Sequence, residues 1–132
     1  MLALHLKITG IILLLLSLIH IGFPKYFQWK KELQPLSLIN RQMMYVHTFF
    51  LAIAVGMIGL LCLCFTEDII HTNLGKQLSL GLFIFWSIRL LFQFFVYSPS
   101  LWKGKLFETT IHIIFSLLWV YQSTVFLFVC LA

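Results

Sequence analysis

Residues 109–132 read TTIHIIFSLLWVYQSTVFLFVCLA, with no Asp, Glu, Lys or Arg from the first position to the last. As an α-helix, about 20 such residues cross the ~30 Å hydrocarbon core of a bilayer. At helical spacing, Glu108, His112, Phe115, Trp119, Gln122 and Phe126 form one polar and aromatic stripe, and the other faces are Leu, Ile, Val and Phe. Such a helix turns its stripe inward and its apolar faces to lipid.

The rest of the chain repeats the pattern. Residues 2–23, 43–65 and 78–97 are similar apolar runs. The third carries Ser79, Trp86, Arg89, Gln93 and Tyr97 on one stripe, and the first Thr9, Leu13, Ser17 and His20. The sequence therefore predicts an all-α integral membrane protein, a single four-transmembrane-helix bundle over residues 1–132 with spans near 2–23, 43–65, 78–97 and 109–131. Composition agrees: 61% of residues are hydrophobic and 10% charged, against about 45–50% and about 25% in soluble domains. The connections are too short for a separate soluble domain. Residues 21–25 (IGFPK) lack the small-x-small pattern of a cleavage site, so the first span is read as retained.

The net charge of +5 does not point to nucleic acid, because the cations flank membrane spans instead of forming a dense patch among aromatics. Lys25, Lys30, Lys31 and Arg41 lie between the first two spans and Lys103 and Lys105 between the last two, against Lys7 and Lys76 on the other side. By the positive-inside rule, the two basic loops are cytoplasmic and both termini non-cytoplasmic, in a cell inner or plasma membrane. Lys25, Lys30, Lys31, Lys103 and Lys105 are then placed to meet anionic lipid headgroups. Pro24 is expected to end the first helix near Phe23, with an interfacial segment over residues 24–33. Residues 66–77 read as a loop, with Glu67, Asp68, Asn73 and Gly75 as turn and cap residues. Ala52, Gly56 and Gly59 share one face, a packing signal that serves either this chain or a homo-oligomer or larger membrane complex.

The polar residues inside the spans fall at similar predicted depths. His20, His47, Gln93 and His112 each lie about one turn from the cytoplasmic end of their helix, with Glu108 one turn shallower than His112 and Arg89 one turn deeper than Gln93. His20, His47, His112 and Glu108 have the ligand chemistry for a transition metal, and paired histidines could hold haem. No HExxH or CxxC spacing accompanies them. Arg89 and Gln93, beside Trp86 and Trp119, suit an anionic or carbonyl group of a cofactor or amphipathic small molecule. The sequence thus favours a metal, haem or amphiphile site in the cytoplasmic third of the bundle, without specifying a reaction. The alternatives are a non-catalytic packing or accessory subunit and a small transporter. Cys62, Cys64 and Cys130 read as buried thiols.

Overall fold

The computed structural model describes residues 1–132 and is all-helical. Its helices are α1 (Leu2–Tyr26), α2 (Trp29–Glu32), α3 (Leu38–Cys64), α4 (Thr66–His71), α5 (Asn73–Phe95) and α6 (Leu106–Leu131), with a 3-10 turn at Pro99–Leu101. Helices α1, α3, α5 and α6 are long and apolar enough to cross a membrane. Even the most apolar windows of these helices are only 28%, 22%, 17% and 39% buried, respectively. Leu18, Met57, Phe85 and Leu117 are each at least half exposed. Apolar surface on this scale is what a helix presents to lipid or to a partner.

The chain forms two compact units, Lys7–Thr66 and Met1–Leu6 with Glu67–Ala132. In the first, α1 and α3 form an antiparallel hairpin: Gly10 meets Gly59, and further along α1 Ser17 meets Ala52 and Gly56. A Cβ on Gly59 would stand 2.8 Å from the Gly10 carbonyl oxygen, so the crossing needs glycine. Ser17 Oγ donates to the Ala52 carbonyl at 2.6 Å. The Ala52, Gly56 and Gly59 face is therefore used within the chain. Ser17→Ala should lower stability by about 1 kcal/mol, read as an earlier thermal midpoint in detergent.

In the second unit α5 and α6 pair antiparallel, Trp86 meeting Trp119 and Gln93 meeting His112. The first turn of α1 belongs here, through a 2.9 Å hydrogen bond between His5 Nδ1 and the Tyr121 hydroxyl.

The helix ends differ from expectation for local reasons. Helix α1 runs on to Tyr26 with Pro24 inside it. Pro24 has no N–H to give the His20 carbonyl, and the helix runs only two residues beyond it. The break comes instead at Gln28, whose φ of 54° is left-handed. Helix α3 begins at Leu38, five residues before the apolar run, because Ser37 caps it by accepting from Asn40 N–H. Most of residues 66–77 is helical and not loop. Thr72 separates α4 from α5, donating its hydroxyl to the Asp68 carbonyl at 2.6 Å and accepting from Gly75 N–H at 3.0 Å.

This tight corner fixes Gly75: a Cβ there would collide with the backbone of Ile69. Gly75→Ala should displace α4 and cost about 1–3 kcal/mol, seen as a lower thermal midpoint with unchanged helix content. The connection between α5 and α6 contains Gly104 at φ +79°.

Candidate functional site

The polar groups of α5 and α6 make a continuous chain. Arg89 Nη1 donates to Gln93 Oε1 at 3.3 Å, one turn along α5. That orientation of the amide turns Gln93 Nε2 toward His112 Nδ1, 3.0 Å away on α6. The amide donates, so Nδ1 accepts and the neutral ring carries its hydrogen on Nε2. Gln93 is buried, and Arg89 and His112 are half-buried.

Aromatic rings enclose this chain. The Arg89 guanidinium lies 5.0 Å from the Trp119 ring and 5.2 Å from that of Tyr97, within cation–π range. Trp119 is stacked on Trp86 at 5.0 Å and 12°, and Phe115 leans on it at 5.5 Å. His112 is stacked on Trp102 at 4.5 Å and 17°, with Phe94 edge-on at 5.9 Å. Two of these rings, Trp86 and Trp119, are 4% and 3% exposed.

Below Arg89 the polar row continues without partners. The Nε1 atoms of Trp86 and Trp119, both amide atoms of Gln122 and the Ser123 hydroxyl are buried and make no hydrogen bond. Trp119, Gln122 and Ser123 lie on one face of α6 by their i, i+3, i+4 spacing. A buried polar group left unpaired costs about 1–3 kcal/mol, so this strip is chemically unsatisfied.

Among the expected site residues, Trp86, Arg89, Gln93, His112 and Trp119 come together. His20 bonds the carbonyl of Leu16 in its own helix through Nδ1 at 2.8 Å and packs on Phe23. His47 and Glu108 are exposed. No three His, Cys, Asp or Glu side chains assemble into a group able to hold a metal ion. The ligand set His20, His47, His112 and Glu108, inferred from depth alone, is divided between the two units, His20 and His47 in the first and His112 and Glu108 in the second. Glu108 also forms no ion pair with Arg89; the one carboxylate with a basic side chain in reach is Glu67, 3.0 Å from His71, both exposed on α4. All three cysteines are free thiols.

The sequence reading missed Trp102 and Phe94. Trp102 lies outside every apolar run, between Lys103 and the 3-10 turn, so no helical period marks it. Its carbonyl accepts from the Thr109 hydroxyl at 2.6 Å, tying the loop to the first turn of α6. Compared with known families, curated proteins and solved structures, the chain matches none.

Proposed function

We propose that this chain is an integral membrane protein that binds an anionic amphiphile, with the acidic group of that molecule held at Arg89. One observation carries the reading: Arg89 is a half-buried cation on a membrane-length helix, and its partners are all neutral, namely the Gln93 amide and the rings of Trp119 and Tyr97. A guanidinium has five N–H donors and does not lose its charge. One of those donors is used within the chain. In a low-dielectric setting the remainder favour a carboxylate or phosphate.

Gln93 orients the guanidinium, and His112 Nε2–H offers a second donor near the same acidic group. Phe85 and Phe92 on α5 and Val96 just beyond its end flank Arg89 and are exposed, giving the apolar part of the molecule a surface to follow. In this reading the amphiphile enters from the leaflet beside the basic loops, which face the cytoplasm of an inner or plasma membrane.

Membrane integration is tested by alkaline extraction, after which the chain should remain with the membrane pellet. Binding is tested in a neutral maltoside detergent by titrating a long-chain alkyl phosphate against the alcohol of equal chain length. Tryptophan fluorescence reports the site directly, since Trp86, Trp102 and Trp119 border it. A saturable change with the phosphate and none with the alcohol is expected; equal responses to both would overturn the proposal.

A further inference from the structure

The first unit holds a second feature, built from α1 and α3 alone. A groove of about 360 Å³ opens between the end of α1 and the start of α3, walled by Ile21, Pro24, Val46, Phe49 and Phe50, with His20, Tyr45 and Thr48 as its polar edge. The volume falls within the range of about 300–1,000 Å³ typical of small-molecule sites.

Cations stand beside the groove along both helices. Lys25 follows the wall residue Pro24 directly, and Arg41 precedes the wall residue Tyr45 by one helical turn. The buried Trp29 packs edge-on against Tyr45 at 5.5 Å and 84°. That contact brings α2 to the groove with its exposed Lys30 and Lys31. None of these four cations is paired with a carboxylate. The Tyr45 and Thr48 hydroxyls, both at the polar edge, are available to donate to ester or phosphate oxygens.

An apolar trough flanked by unpaired cations, with hydroxyl donors on its edge, has the charge and polarity pattern of a phospholipid. We infer that this groove holds one anionic phospholipid, an acyl chain lying along Val46, Phe49 and Phe50 and the phosphate between Lys25 and Arg41. Trp29 acts as a positioning residue, setting the angle of Tyr45 and carrying the two lysines of α2. The inference rests on the membrane reading and is independent of Arg89.

The test reconstitutes the full chain in nanodiscs of equal parts phosphatidylcholine and phosphatidylglycerol, re-extracts it in neutral detergent and counts retained lipids by native mass spectrometry. Phosphatidylglycerol is expected to be retained in preference to phosphatidylcholine, with one copy per chain lost when the groove is blocked. Lys25→Gln with Arg41→Gln should weaken retention about thirtyfold, about fivefold for each cation removed at a membrane surface. Val46→Trp fills the trough from a half-exposed position and leaves every cation in place; it should also release the lipid. Retention of both lipids equally, or unchanged retention by the Val46→Trp chain, overturns the groove assignment alone. Recovery of the chain in the soluble fraction after alkaline extraction overturns the membrane reading and this inference together. Lys76→Gln removes a cation that belongs to neither site and should leave phosphatidylglycerol retention unchanged; an equal loss in that variant would show a general charge effect and overturn the groove assignment.

Discussion

A chain carrying Gly59→Leu is expected to lose the α1–α3 hairpin, with a fall in stability of about 3 kcal/mol or more. The nearest neighbour of any side chain at this position is backbone. An added Cβ would meet the Gly10 carbonyl oxygen at 2.8 Å, Leu13 Cβ at 3.1 Å and Leu14 Cγ at 3.2 Å. Moving a carbonyl means moving a helix, so the strain cannot be relieved by a rotamer change. Helices in lipid associate by close packing and not by hiding apolar surface from water, so the loss of the close crossing is not recovered elsewhere. Gly22→Leu is the matched control, because a Cβ at Gly22 meets nothing within 4 Å. Thermal unfolding of both variants in the same detergent should separate them; equal midpoints would show that the glycine crossing contributes nothing.

The second large effect is expected at Arg89. Replacing it with Gln should weaken binding of an alkyl phosphate by about 10- to 150-fold, the worth of a charge-assisted hydrogen bond of about 1.5–3 kcal/mol. Lysine keeps the charge but not the fork of donors, nor the flat face that lies over Trp119 and Tyr97. Arg89→Lys should therefore fall between the native chain and Arg89→Gln. Gln93→Glu offers a sharper contrast. It places a carboxylate one turn from the guanidinium, where the amide oxygen now lies at 3.3 Å. The helix then supplies its own acid, and the phosphate should no longer bind although the fold is retained. If Gln93→Glu bound the phosphate as tightly as the native chain, Arg89 would not be the recognition element. Fluorescence titration of the three variants measures all of this.

Much of the inward face was legible as periodicity. In α6, Trp119, Gln122 and Phe126 of the expected stripe are buried, as are Ser79, Trp86 and Gln93 in α5 and Thr9 and Leu13 in α1. Periodicity assigns a residue to a face of its own helix. It carries no information about which helix that face meets, so the pairing of Gln93 with His112 and of Gly10 with Gly59 came only with three dimensions. The same limit applies to the four-ligand metal set: similar positions along the helices do not say which faces meet, and His47 is exposed. The starts of α3 and α5 were hidden for another reason. Ser37 and Thr72 are polar caps outside the apolar runs, and the turn that follows each is too polar to register in a hydropathy reading. Trp102, on an irregular loop, belongs to no period at all.

The hydrogen bond between His5 and Tyr121 spans 116 positions of sequence. Because a chain is made from its N-terminus, its first helical turn waits for the last helix before it can meet this partner. The Gly10–Gly59 crossing and the Ser17–Ala52 bond need nothing beyond α3 and can form while α5 is still being synthesised. Helix α1 is thus completed in two instalments, its body early and its tip late, and the tip records whether α6 has arrived.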